Sequence, residues 1–454
     1  MATSVKISLS PENTGLWAIT QSHEAALVTS ELLQNDLDNH HVFLNDVGFH
    51  DHMTHHLLAL YGTGASVADL QKAYQQRNPL QRPVLPRHET ALSDLNSSWD
   101  HASKYLGNDE HYPDFLAYFQ GVIETRGYES VVNDYLFKGD DAANDLLCRL
   151  HAGVLHPLIQ LMFGLEWKQP AIIAEALAQT CVHGVERLDE LLLEGEQRAR
   201  SLAKNPKMPE LLSLYENLKA DPRLSSAVVM EDSSKIEDGI LQRAKDPMLA
   251  VLEQVHVDPA DLEERTAEMF HTMIYVASGA AIRPPHHVKY DFFLIQPWVS
   301  ESTKVRMLEW KIRMDLVQYA ARGCPTISLE AIASYVPKQK SESSLREIGA
   351  RLHDFGDDGH AIKQARATST CYELMEKYQD SPWLVLRGEA IWEKIQYMVV
   401  DAVEGPGALY IRSAGLAEAW KDIPDQSAPK RDPEVLRSLQ TGSGSTIANL
   451  ELPG

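Results

Sequence analysis

The stretch His50-Asp51-His52-Met53-Thr54-His55-His56 concentrates imidazoles at spacings that suit metal binding. On a helix, His52 and His56 are four residues apart and face one side, so two ring nitrogens can reach one ion at about 2 Å. His52 and His55 form an alternative pair at a spacing of three. The chain has 19 histidines and six of them fall between His40 and His56, a clustering that asks for a reason. Zinc proteases need a glutamate directly after the first histidine, as the base; Met53 stands there, so proteolysis is disfavoured. The plain alternative is an amphipathic helix whose histidines only cap and hydrogen-bond.

Other segments add candidate groups. His156 lies in Leu155-His156-Pro157-Leu158-Ile159, within an apolar stretch that ends at Trp167; its imidazole is expected to be buried and to need partners. Glu268-Met269-Phe270-His271 has the Glu-x-x-His form of di-iron bundles. The other copy, Glu253-x-x-His256, abuts the Asp258-Pro259 break and does not make that geometry, so His271 is held in reserve as a single ligand. Arg283, Tyr290, Phe292 and Phe293 belong to a run that reads as the rim of a pocket for a flat, acidic aromatic ligand, or else as a surface loop before a core helix. His360 falls in the first turn of a helical pattern, with Lys363 and Arg366 following at i+3 and i+6. One imidazole and two cations then lie along one face, although an ordinary charged face has the same pattern.

Helices must position these groups. Between about 50 and 75, Met53, Leu57, Leu60, Val67 and Leu70 recur at helical spacing, broken at Gly62 and Gly64, which predicts two helices or one bent one. A helical region is expected over about 112–165, and a long unbroken pattern over 170–204 opens at Pro170. Asp258 starts a helix that runs to about Ala280, where Gly279 and Pro284-Pro285 end it. Residues 301–322 and 358–379 are two more helical patterns, the second capped by Asp357 or Asp358. Period-2 strands are few. The fold class is mainly α: residues 1–45 as an N-terminal extension packed on the core, 46–421 as one large multi-helix domain, and 422–454 as a loosely held tail.

Composition removes several classes. A net charge of −22 over 454 residues argues against nucleic acid and anionic membrane surfaces as partners. No apolar run reaches the ~20 residues of a membrane span. The N-terminus lacks a basic region followed by an apolar core, so a cytoplasmic protein is expected. Cys148, Cys181, Cys324 and Cys371 are far apart and read as free thiols. Gly62-Thr63-Gly64 follows a helix and lacks the third glycine of a dinucleotide fingerprint, so a built-in flavin or nicotinamide site is not supported. Walker A and G-x-S-x-G patterns are absent.

Taken in order, HDHMTHHLLALYGTGA (50–65), HPLIQLMFGLE (156–166), the Asp291–Leu294 run and DGHAIKQAR (358–366) resemble the questin oxidase-like family, over roughly residues 45–400. That resemblance implies oxidative opening of anthraquinone rings in fungal aromatic polyketide pathways, of a kind associated with Baeyer–Villiger oxidation. The family's recurrent histidines match His52, His55, His56, His156 and His360. Two positions depart from the family pattern: Gln160 stands where relatives commonly have a second histidine, and Gln296 where they end a DFFLMH run. Gln296 is then expected to line the substrate pocket, and His271, His286 or His287 to complete a metal site.

Adding dioxygen to an aromatic ring is spin-forbidden and needs an electron source. Without a flavin fingerprint, the expectation is mononuclear non-haem Fe(II) held by His52, His56, His156 and His360, with O2 as co-substrate. A carboxylate that completes the set is not evident from the sequence. Lys363, Arg366 and Arg283 are expected to stabilise phenolate charge, with Tyr290, Phe292 and Phe293 stacking on the rings. NADPH or an external reductase would first reduce the quinone to its hydroquinone. Two other readings stay open: metal-free Baeyer–Villiger-type oxygenation with a histidine as base, and a non-catalytic carrier of an aromatic ligand. The sequence has no signature of oligomeric state.

Overall fold

The computed structural model describes residues 1–45, 48–202, 207–294, 305–340 and 343–426. Gln296 and most of the tail lie outside the described residues. Among those described, the fold is mainly α with no β-strand, and extended pairings are isolated bridges such as Phe43 with His50. The chain divides into two compact units, Met1–Asp189 and Glu190 onward.

The first unit carries α1 (His23–Asn39), α2 (Met53–Gly62), α3 (Val67–Arg77), α4 (Glu89–Ser97), α5 (Tyr112–Arg126), α6 (Tyr128–Val132), α7 (Asp141–His151), α8 (His156–Glu166) and α9 (Pro170–Val182). Helix α9 is its centre. Every residue from Ala171 to Val182 is buried, as expected of a helix that is apolar all round. It packs on α5 and α8, and α2 packs on α8. Gly164 in α8 permits the close approach, because a Cβ there would sit 2.7 Å from Ile173 Cγ1. The two helices expected over 50–75 are α2 and α3; Ser66 and Asp69 form a reciprocal capping box at the start of α3. Residues 1–45 belong to this unit, with Ile7, Leu9 and Trp17 buried.

The unbroken helix expected over 170–204 is two helices. The chain leaves α9 at His183, passes Glu186 and Arg187 in left-handed conformations, and re-enters a helix at Leu192. The apolar periodicity hides this break. What the break does is swing His183 towards His50.

The second unit holds α10 (Leu192–Ser201), α11 (Leu211–Ala220), α12 (Pro222–Ser225), α13 (Lys245–Leu252), α14 (Leu262–Ala280), α15 (Val305–Ala321), α16 (Leu329–Ser334), α17 (Leu345–Ala350), α18 (His360–Met375) and α19 (Glu389–Glu404). Helices α14, α17 and α19 pack on α18. Asp357 rather than Asp358 tethers the start of α18, through the N–H groups of Gly359 at 2.9 Å and Ala361 at 2.8 Å. Cys148, Cys181, Cys324 and Cys371 are buried free thiols. No single helix among the described residues is long and apolar enough to cross a membrane.

Candidate histidine centre

Two backbone features build the centre in the first unit. The loop before α2 folds back on itself, with Leu44 N–H bonded to Phe49 O at 2.6 Å and Asp51 N–H to Val42 O at 2.8 Å. This presents His50 and His52 from one short segment. The turn before α8 carries three successive left-handed residues, Gly153, Val154 and Leu155, at φ of 55°, 55° and 65°. Only glycine takes such angles without cost, so Val154 and Leu155 store strain at this point. The turn aims the Gly153 carbonyl at His156.

His52 Nδ1 lies 2.7 Å from His50 O, and His156 Nδ1 lies 2.7 Å from Gly153 O. A carbonyl can only accept, so both Nδ1 atoms carry the proton. In neutral imidazoles the Nε2 atoms then carry lone pairs, and they face each other at 3.0 Å. Two lone pairs at that distance repel unless a cation is shared between them. With bonds of about 2.1 Å, a separation of 3.0 Å is the edge between neighbouring positions around one six-coordinate ion. Backbone carbonyls that fix the far nitrogen are the usual support of ligating histidines. The donor set therefore fits a transition metal.

His55 joins from the first turn of α2. Its ring centroid is 4.8 Å from His52 and 6.1 Å from both His156 and Phe163. The i,i+3 partner thus sits beside the pair. His52 precedes the helix rather than lying in it, which turns it away from the ideal i,i+4 register. His56 is buried on the same helix.

Sequence reasoning missed two neighbours, His50 and His183, and one buried acid. His50 stacks on His156 with ring centroids 3.9 Å apart and planes 3° from parallel. Its Nε2 lies 3.0 Å from His183 Nε2. Burial drives the pKa of His50 well below its usual value and that of His183 down to about 4, so both are neutral at pH 7. The buried acid is Glu175, the sole carboxylate of α9. It is buried, and Gln160 Nε2 donates to it at 3.3 Å. Gln160 is one helical turn beyond His156, at the position where the family pattern departs. Burial lifts the Glu175 pKa well above the usual range, and Asp36 and Asp51 add to the rise. The available signal was a lone acid in an apolar helix.

The second unit holds the other candidate residues. His360 is buried at the start of α18, with Nδ1 2.5 Å from Asp358 Oδ1, which fixes its orientation. Phe292 and Tyr410 flank its ring at 4.7 Å and 6.0 Å. Lys363 and Arg366 are buried on the same helix, and burial brings the Lys363 pKa down to about 8. Phe293 lies beneath the Arg322 guanidinium, 4.1 Å from the ring centroid, a contact the sequence did not announce. Tyr290 is buried and bonds Ser278 at 3.2 Å. Arg283 donates to the carbonyls of Ala414 and Leu416.

Two of the reserve ligands, His271 and His286, are engaged elsewhere. His271 Nε2 accepts the N–H groups of Val385 at 3.1 Å and Leu386 at 3.0 Å, which occupies its lone pair. His286 Nδ1 donates to Ile423 O at 2.8 Å. Glu268 is bonded to Arg265 and to the N–H of Leu211, so the Glu-x-x-His motif serves the packing of α14.

Among the described residues, a helical scaffold thus presents paired histidines oriented by backbone carbonyls. Comparison with known proteins gives the family. Residues 49–368 match the model of the questin oxidase-like family, and the chain belongs to it. It is 31% identical over 443 residues to a questin oxidase of Aspergillus terreus, covering 93% of this chain and 98% of the relative. It is 34% identical over 393 residues to the oxidoreductase AflY of Aspergillus parasiticus, covering 83% and 78%. It is 30% identical over 444 residues to the Baeyer-Villiger oxidase ptaJ of Pestalotiopsis fici, covering 93% and 99%.

Proposed function

We propose that this protein is an oxygenase that uses O2 to cleave a C–C bond of an anthraquinone, or of its hydroquinone, in fungal aromatic polyketide biosynthesis. The observation that carries the reading is the 3.0 Å approach of two imidazole nitrogens, His52 Nε2 and His156 Nε2, in rings each held at Nδ1 by a backbone carbonyl. In this reading they hold mononuclear Fe(II) with His56, and with His55 beside them. His360 is a further ligand candidate from the family's histidine pattern, with its ring oriented by Asp358 at 2.5 Å. Glu175 is the carboxylate nearest in character to what a facial set needs, since a buried acid of raised pKa ionises when a cation is bound beside it. The metal, when bound, supplies the electron that dioxygen activation requires.

The chain's own residues do the rest. Lys363 and Arg366 offer positive charge to a phenolate. Phe292 offers a ring face to a planar substrate. Gln296 is retained as a substrate-binding residue, and Arg283, Tyr290 and Phe293 act behind the surface as supports. NADPH or a partner reductase delivers the reduced substrate.

The relatives named Baeyer-Villiger oxidases favour one second reading: metal-free oxygenation with His156 or His360 as the base. Metal analysis by inductively coupled plasma mass spectrometry, joined to oxygen uptake with an anthraquinone hydroquinone, separates the two. One iron per chain and EDTA-sensitive uptake support the iron centre. Full uptake in metal-stripped protein overturns it and leaves the metal-free route. Tight anthraquinone binding with no oxygen uptake in any form overturns both in favour of a carrier.

A further inference from the structure

A second convergence of ligand atoms lies elsewhere in the first unit. His88 directly precedes α4, His111 directly precedes α5, and Asp114 is in the first turn of α5. Asp114 is fully buried, His111 is 15% exposed and His88 is 46% exposed, so the group opens to solvent on one side. One oxygen, Asp114 Oδ2, lies 2.7 Å from His111 Nδ1 and 3.0 Å from His88 Nδ1. The other oxygen accepts the backbone N–H of His88 at 2.6 Å, which holds the carboxylate in place. The three ligand atoms all fall within 4.8 Å of one another. Tyr105 braces His111 edge-on, with ring centroids 4.7 Å apart.

We propose that His88, His111 and Asp114 form a second divalent-metal site, filled by zinc or a similar borderline ion with water in the fourth position. Two imidazoles and one carboxylate are a suitable set for such an ion. Bonds of about 2.0 Å in a tetrahedron place neighbouring ligands about 3.3 Å apart, so the present spacings need to open only slightly. The site staples the proline-rich segment between α3 and α4 to the start of α5. That segment is already tied by His41 N–H to Arg82 O at 2.8 Å, Val84 N–H to Asn39 O at 2.8 Å, and Arg82 to Asp109 at 2.7 Å. A metal at its end fixes the remaining free length. The site uses none of the proposed iron ligands, so it stands or falls separately from the oxygenase reading.

The test is a titration of metal-stripped full-length protein with Zn2+ alone, by calorimetry and by thermal melting. Wild type, His88→Ala and His111→Ala are compared. Wild type is expected to bind one zinc more than either variant and to show a larger zinc-induced rise in melting temperature. His88 is half exposed, so its variant folds and decides the matter if His111→Ala does not. Equal zinc uptake and equal melting shifts in wild type and His88→Ala would overturn the proposal, leaving the cluster as a hydrogen-bonded latch.

Discussion

His52 Nε2 and His156 Nε2 stand 3.0 Å apart while each ring gives its Nδ1 proton to a backbone carbonyl. Sequence separation of 104 residues makes this pairing a product of the fold, not of local helix geometry. Replacing either histidine by alanine removes one of two converging donors. His52→Ala and His156→Ala are expected to lose stoichiometric metal and to lower turnover by roughly 10²-fold or more. Metal content and oxygen uptake, measured on the same preparations, check this; retention of both in His156→Ala would count against the shared-cation geometry.

Gly153 holds His156 in place through its carbonyl and sits against the His183 ring. An added Cβ would strike that ring, and its φ of +55° disfavours any side chain. Overpacking of this kind costs about 1–3 kcal/mol. Gly153→Ala is therefore expected to lower both melting temperature and metal content. Gly164→Ala is the control: its Cβ would press on Ile173 in the α8–α9 contact, so the melting temperature should fall while the remaining folded protein keeps its metal.

Asp36 gives a pH signature in the metal-free protein. Burial pushes its pKa up to about 7, and it shares a hydrogen bond with Asp51. The folded state thus keeps a proton that the unfolded chain, with a carboxyl near ~3.9, releases. Stability from this group is full below about pH 4 and is lost as pH rises towards 7, by the order of 1 kcal/mol per unit. Asp36→Asn has no proton to lose. Its melting temperature should gain on wild type steadily between about pH 4 and 7 and then level off. A constant difference across that range would show that Asp36 does not titrate this way.

The helical class, the paired helices over 50–75 and the burial of His156 were legible because each rests on local periodicity or on a motif. His183 was not, because its helix ends inside an apolar pattern that simply continues in α10. Glu175 was passed over for a related reason. A single acid in Pro170–Val182 leaves the apolar pattern unbroken, and only packing shows that it faces Gln160. His271 failed in the opposite direction: its motif was visible, but the backbone N–H groups that consume its lone pair come from residues 114 and 115 positions away.

Lys363 sets an expected upper pH limit on activity. Its pKa is brought down to about 8 by burial, with Asp358 and Asp357 partly opposing the fall. If its ammonium binds a phenolate, kcat/KM declines as pH rises through about 8, where the charge is lost. Lys363→Arg keeps the charge and should move that limb to higher pH. Lys363→Met should lower the rate at pH 7 by roughly 10²-fold, the size expected for a lost oxyanion partner. A wild-type profile flat to pH 9.5 (about 1.5 units beyond the lysine) would remove Lys363 from this role.

Glu175 offers the sharpest separation of a metal centre from a purely histidine-based one. Without a cation, burial favours its protonated form inside α9, with Gln160 as hydrogen-bond partner. A bound cation beside it reverses that preference and draws the proton off. The change has a direct readout in infrared difference spectra. Adding Fe(II) or Zn(II) to metal-stripped wild type should erase a protonated-carboxyl band and create a carboxylate band. Glu175→Gln should lack both changes and bind metal more weakly. If metal binds tightly to both proteins with no carboxyl signal, Glu175 is a buried acid of the helix core, and the ligand set is completed by histidine alone.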